Sequence, residues 1–193
     1  MKTKKPWYIL KKYKVLPKNI EKQANELSRI CFSFMEETEE QRRLHTDKFY
    51  NNKAVVTVLA LENDRVIGRA KVIKRDITYK GVKIILGGLG GICTLPEKRR
   101  KGIASSVVRI AFEELKNQGC DIAYLCTDLT DPQKVRMYCN VGFVPLGRSH
   151  QYRGQSEKIY IENDAMIASV NSKVRFDLIM KGPEILDIGY GNW

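Results

Sequence analysis

The sequence predicts a mixed α/β (α+β) fold, an antiparallel meander followed by a βαβ unit with flanking helices. Three observations carry that prediction. The hydrophobic period changes from helical to β-like at Ala54. The glycine-rich apolar run "VKIILGGLGGICTL" leads straight into an amphipathic helical pattern. That pattern ends at "NQG" and is followed by the short buried strand "CDIAYLCTDL". Strand, helix, strand in succession implies a right-handed crossover and a parallel pair inside a mixed central sheet.

Taken in order, the chain starts with seven lysines and no acid in its first 18 residues. This stretch reads as a basic strand or arm presenting a solvated surface. Ile20, Ala24, Leu27, Ile30, Cys31 and Phe34 recur at helical spacing and predict a first helix. "MEETEEQRRLHTDKFY" predicts a second helix or its approach loop. "AVVTVLALE", "VIGRAKVIKRDI" and the glycine-rich run are three strands, separated by the turn signals "NDR" and "TYKG". Gly87, Gly88, Gly90 and Gly91 are costly in a strand and mark a bulge, or the close approach of a ligand or another backbone. After Pro96, Ile103, Val107, Val108, Ala111, Phe112 and Leu115 form the apolar face of a helix. "DPQKVRMYCN" opens with Asp131 and Pro132, a good helix start. "GFVPLGRSHQYRG", "AMIASVNS" and "VRFDLIM" are read as the remaining strands.

At 193 residues the chain fits one domain spanning 1–193. Its 43% hydrophobic and 29% charged content is that of a soluble globular protein. It has no membrane-spanning apolar run and no secretory signal pattern. Five cysteines form an odd set without metal-type pairing, and only His45 and His150 could assist them. The expectation is therefore reduced thiols, a cytoplasmic location and no metal. The net charge of +12 suits an anionic partner: nucleic acid, an acidic membrane surface or a polyphosphate cofactor. Monomer and homodimer both remain open.

Four consecutive cations, Lys98 to Lys101, join the glycine-rich strand to the helix. A helix N-terminus offers unpaired N–H groups and a positive partial charge, so this is a place for one phosphate group. Gly102 and the small Ala104 would let a diphosphate approach the backbone, with Arg99, Arg100 and Lys101 around it. A nucleic-acid patch would need neither the glycine nor the preceding strand, so nucleic acid is disfavoured.

Arg99-Arg100-Lys101-Gly102-Ile103-Ala104 resembles the signature of the GNAT superfamily of N-acetyltransferases: Arg or Gln, two residues, Gly, one residue, then Gly or Ala. Tyr138-Cys139-Asn140-Val141-Gly142-Phe143 is similar to a second feature, a tyrosine followed after three residues by Gly-Phe. The resemblance implies the GNAT fold and acetyl-coenzyme A as donor. Ile92, Cys93 and Thr94 would pair with its pantetheine arm as if it were another strand. The turn from Arg99 to Ser105, including Ile103, would hold the pyrophosphate. Tyr138 would stand near the sulfur and donate a hydrogen bond to the leaving thiolate. With tyrosine at about 10 and a thiol at about 8.5, full proton transfer is uphill by roughly 2 kcal/mol. Many members carry a glutamate on the strand before the pyrophosphate turn. Here Lys83 to Leu95 holds no carboxylate, and Gly90 stands where one would be sought. A water chain, a C-terminal carboxylate or His150 could substitute, although a surface position is expected for His150.

The meander, its "TYKG" turn and the ending "PEILDIGYGNW" are also similar to aminoglycoside 2′-N-acetyltransferases. The implied function is acetylation of a primary amine on a small cationic molecule. Glu36 and Glu40, one helical turn apart, with Asp187 and the C-terminal carboxylate of Trp193, are the candidate acceptor-binding residues. Two competing readings remain: a non-catalytic coenzyme A-binding sensor or scaffold of the same fold, and a basic nucleic-acid-binding protein.

Overall fold

The computed structural model describes residues 7–33 and 37–193. The basic N-terminal stretch contains strand β1 (Ile9–Tyr13), antiparallel to β2 (Val56–Glu62). It is more than the solvated arm the lysines suggest. Tyr8 is buried and donates a 2.8 Å hydrogen bond to Ser106, and Lys12 pairs with the largely buried Glu114 at 2.8 Å. Alternate residues of an edge strand face the core, so lysines can occupy the outer side while the strand still packs.

Strands β2, β3 (Arg65–Tyr79) and β4 (Val82–Thr94) form the meander. Both expected turns are present. Asn63 and Asp64 have φ of +47° and +62°, and Lys80 and Gly81 have +51° and +76°. Two consecutive left-handed residues give a hairpin turn whose twist matches that of the strands.

Helix α1 (Lys18–Phe32) buries Ile20, Ala24 and Leu27, while α2 (Glu39–Phe49) buries none of its residues and starts on a reciprocal Thr38–Gln41 cap. Helix α3 (Ile103–Asn117) lies in the same apolar cluster as α1, with Val107, Ala111 and Leu115 joining Val58 and Ala60 of β2. Strand β5 (Ile122–Cys126) is parallel to β4, as the crossover requires. Then come α4 (Pro132–Cys139), capped by Asp131, β6 (Val144–Pro145), β7 (His150–Arg153), β8 (Ile159–Glu162) and β9 (Ala165–Ser169). Helix α5 (Lys173–Lys181) and β10 (Leu186–Tyr190) complete the order. Among the described residues the strands form a seven-stranded sheet, β1-β2-β3-β4-β5-β9-β6, and a three-stranded one, β10-β7-β8. A second apolar cluster, with Ile84, Leu86, Tyr124, Ile167, Ile188 and Trp193, connects the two sheets.

"VRFDLIM" is part of α5, contrary to the expected strand. Its apparent alternation has no sheet to serve, since Val174 is 80% exposed. Ser172 caps the helix through the Arg175 N–H, Lys173 pairs with Asp177 one turn on, and Ile179 supplies the buried contact.

Candidate functional site

Strands β4 and β5 pair over only three positions, Leu86↔Ile122, Gly87↔Ala123 and Gly88↔Tyr124, and then part. Beyond Gly88 the edge of β4 facing β5 has no partner strand. A bulge falls in the same stretch: Arg69 pairs with Cys93 but Lys71 with Gly90, and Gly91 has φ +54°. Arg69, only 4% exposed, holds the bulge to α1. Its guanidinium donates to Gly91 O (3.2 Å), Ala24 O (3.1 Å) and Ser28 Oγ (2.7 Å). The Thr94 hydroxyl at the end of β4 is buried and has no hydrogen-bond partner among the described residues. Cys93 is also buried, whereas Ile92 lines the cavity described below.

The cation run forms a tight turn. Arg100 has φ +64° and Gly102 +77°, and a Cβ built on Gly102 meets no atom within 4 Å. No side chain caps α3, whose first intrahelical bond is Ser106 N–H to Gly102 O at 3.0 Å. The N–H groups of Ile103, Ala104 and Ser105 therefore have no intrahelical acceptor. Arg99 donates to Thr94 O at 3.3 Å, and Arg100 donates to Gln133. Lys98 pairs with Glu62, and both Lys98 and Lys101 lie over the Trp7 ring, at 5.0 and 5.6 Å. An open edge of β4, an orphaned Thr94 hydroxyl and an uncapped turn with room above a left-handed glycine fit an extended diphosphate-bearing ligand such as acetyl-coenzyme A.

The open edge leads into a cavity of about 930 Å³ between α1, α2, β3, β4 and the C-terminal segment. Tyr138 reaches it from α4, 6% exposed, as does Trp193. Burial pushes the Tyr138 hydroxyl up to about 12 against a weaker opposing effect of its bond to Thr127. Glu40 is exposed and lies outside the lining, because α2 presents Gln41, Leu44, His45 and Lys48 to the cavity. Asp187 is exposed elsewhere, bonded to Gln151 and the Gly189 N–H, so the tail does not bring it to the acceptor side. Glu36 lies outside the described residues. Among the described residues the carboxylate side chains lining the cavity are Asp128, Glu162 and Asp164, none of which the sequence pattern singles out. Lys71, in register with Gly90, also lines it. It donates to Asn52 at 3.3 Å, and burial chiefly, aided by the nearby Arg69 charge, lowers it to about 8.

Two of the four strand glycines make room for the tail. A Cβ on Gly88 would lie 2.2 Å from the Trp193 indole, and one on Gly90 would lie 3.0 Å from the Trp193 main-chain carbon. Trp193 Nε1 donates to Tyr124 O at 3.4 Å, where β4 and β5 part, and Arg75 stacks on its ring at 4.2 Å. A side chain at position 90 would be crowded by Trp193, which must shift by a few tenths of an ångström to admit one.

Beside Trp193 lies a polar cluster that chain order conceals. His150 is fully buried, against the expected surface position. Its Nε2 is 2.9 Å from Asp164 Oδ1 and 3.8 Å from Cys126 Sγ, while its Nδ1 is 2.8 Å from the Tyr124 hydroxyl. Asn192 contacts Cys126 Sγ at 3.4 Å and donates to Glu162 at 3.3 Å, and Glu162 accepts from Lys48 at 2.6 Å. Burial would raise Asp164, but the hydrogen bond and charge of His150 outweigh it and hold the carboxyl low. Cys126 thus meets His150 and Asp164 in space, a grouping that the spacing of the cysteines along the chain does not disclose.

Residues 12–145 match the family model described as an acetyltransferase (GNAT) domain. A 94-residue stretch is 29% identical to N-alpha-acetyltransferase 30 of Schizosaccharomyces pombe, covering 49% of this chain and 61% of that protein. The chain thus spans less than two thirds of that relative's length. Among solved structures, the GNAT family N-acetyltransferase YhbS from Escherichia coli in complex with CoA superposes with a TM-score of 0.61, at 14% identity. That match covers 95% of this chain and 89% of the other. A GNAT family acetyltransferase from Brucella melitensis in complex with acetyl-CoA gives a TM-score of 0.51 at 20% identity, over 70% and 83% of the two chains. With the signature turn, the Tyr-x-x-x-Gly-Phe segment and the β4–β5 fork already in place, the match over residues 12–145 assigns the chain to the GNAT acetyltransferase family.

Proposed function

We propose that the chain acts as a single domain in the cytoplasm, transferring the acetyl group of acetyl-coenzyme A to a primary amine of a small cationic molecule by direct attack. The observation that carries this reading is the unpaired edge of β4. It runs from the uncapped N-terminus of α3 to a cavity into which Tyr138 projects. The five free cysteines support a reducing compartment. No helix among the described residues is long and apolar enough to cross a membrane.

Acetyl-coenzyme A supplies an activated acetyl thioester when bound, and the protein's own groups do the rest. The free N–H groups at the start of α3, with Arg99, Arg100 and Lys101, bind the diphosphate. Main-chain groups of Ile92 to Thr94 orient the extended arm. Asp128 and Glu162 draw the acceptor ammonium into the cavity, replacing Glu40 and Asp187 in that role. Lys71 takes the ammonium proton. It stands across the strand pair from Gly90, and with its amine lowered to about 8 a useful fraction is neutral at working pH. As the N–C bond forms and the C–S bond breaks, Tyr138 donates a hydrogen bond to the departing sulfur, which takes up the second proton that the nitrogen loses. Held at about 12, it lies above a thiol's 8.5 by an amount that makes full transfer uphill by about 5 kcal/mol, so it keeps its proton. The nucleic-acid reading loses support because Lys98 is engaged by Glu62 and Arg100 by Gln133.

The test is thiol release from acetyl-coenzyme A over a panel of polyamines, aminoglycosides and peptides, alongside calorimetry with coenzyme A. Release with small polycationic amines is expected. Coenzyme A binding without release on any amine would make the protein a sensor. Gly102→Val places a β-branched side chain at a left-handed position facing the diphosphate, and should weaken coenzyme A binding at least tenfold. Unchanged affinity would remove the diphosphate from this turn.

A further inference from the structure

We propose that Cys126, His150 and Asp164 form a binding site for a borderline-soft divalent cation of the zinc type, with its remaining position open to the acceptor cavity. The three donors come from the end of β5, the start of β7 and the turn before β9, and their ligand atoms all lie within 4.8 Å of one another. Bonds of about 2.0–2.3 Å in a tetrahedral zinc site place neighbouring ligand atoms roughly 3.3–3.6 Å apart. The observed separations from His150 Nε2, 2.9 Å to Asp164 Oδ1 and 3.8 Å to Cys126 Sγ, bracket that range. The third separation, between Asp164 and Cys126 Sγ, lies within the same 4.8 Å, and the partly exposed Asp164 side chain can adjust to seat the ion.

The surroundings are also those of a metal site. A ligating histidine needs its second nitrogen fixed by an outer partner. His150 Nδ1 has the Tyr124 hydroxyl at 2.8 Å, and the same hydroxyl lies 2.7 Å from Cys126 Sγ. His150 is fully buried, so its ring is held in one orientation by packing. The buried Asn192 amide, 3.4 Å from the sulfur, adds a further polar group beside the centre. Cys126, Asp164 and Asn192 line the cavity and provide the way in, whereas His150 lies behind them, fully buried. A thiolate, an imidazole and a carboxylate together favour zinc over magnesium or calcium, which prefer all-oxygen shells. Thiolate and carboxylate would supply two negative charges, matching the ion.

The inference does not rest on acetyl transfer, and neither does its test. Metal-free full-length protein is titrated with Co²⁺, watching for the thiolate-to-cobalt charge-transfer absorption and for d–d bands of tetrahedral intensity. One equivalent should develop both, and Zn²⁺ should displace it and raise the melting temperature. Cys126→Ser should abolish the thiolate band. Asp164→Asn, at a side chain that is 42% exposed and so tolerant of change, should weaken binding at least tenfold while leaving the fold intact. Cys139→Ser, which alters an exposed thiol, should leave the band unchanged. A wild-type titration without the band, a band that survives Cys126→Ser, or affinity unaffected by Asp164→Asn would each overturn the proposal.

Discussion

Cys31 shows how a single residue's chemistry follows from its neighbours. A hydrogen bond from the Cys93 thiol favours the Cys31 thiolate most, burial opposes it, and the Arg99 and Arg69 charges add to the first effect, leaving the thiol at about 6. Cys31 should therefore alkylate faster than an ordinary thiol at slightly acid pH. Mass spectrometry after brief iodoacetamide treatment should find Cys31 modified first, ahead of the more exposed Cys139, with an inflection near pH 6. Lys71 provides the opposite case, a cation held low by burial, at about 8 against an ordinary 10.5. Between those values the unfolded chain holds a proton that the folded chain has released, so this group's contribution to stability rises with pH. Below pH 8 both states are protonated and the burial cost is carried in full. Lys71→Met should therefore melt above wild type at pH 7, the gap closing as pH rises towards 10.5. Its turnover should fall about 10²-fold, the low end for loss of an acid–base group.

At the scale of the element, the β4 bulge depends on Arg69. Its guanidinium makes two bonds to α1 and one to Gly91 O, so removing it breaks the tie between the bulge and the helix. Arg69→Met should cost about 1.5–3 kcal/mol by chemical denaturation, the range for losing hydrogen bonds from a charged group. It should also raise the KM for acetyl-coenzyme A more than it lowers turnover, because the bulge shapes the strand edge. Such elements were legible in the chain to differing degrees. The apolar face of α3, the two I′-type hairpin turns and the Asp131-Pro132 start of α4 are local patterns, and local physics writes them into consecutive residues. Segment 173–181 was not legible, because Val174, Phe176, Leu178 and Met180 alternate as a strand would while a Ser172 cap and one buried contact at Ile179 make it a helix. The glycines of β4 could be read as sites of close approach. What approaches Gly88 and Gly90 is Trp193, a hundred residues later, and no nearby residue announces it. The meeting of Cys126, His150 and Asp164 is hidden for the same reason.

For the whole molecule, the C-terminal segment is the wedge between the two sheets. Arg75 donates to Ile188 O and Gly191 O at 2.7 and 2.8 Å while stacking on Trp193, so one side chain fixes both the path of the tail and the ring that ends it. Trp193→Ala should cost about 3–5 kcal/mol, the usual range for emptying a site of that size. At this chain length that lowers the melting temperature by roughly 10 °C. Gly88→Val should have a similar effect by expelling the same ring, and combining the two should cost less than their sum, since each removes the same contact. A calorimetric double-mutant cycle giving full additivity would show that the two residues act separately. The fork ahead of this wedge has a consequence for isotope exchange. Amides of residues 89–94 that point across the gap have no strand to protect them, whereas their neighbours are bonded to β3. In deuterated solvent the stretch should exchange in an alternating pattern, fast and slow residue by residue. Adding coenzyme A should slow the fast members selectively, reporting how far along the strand the ligand lies.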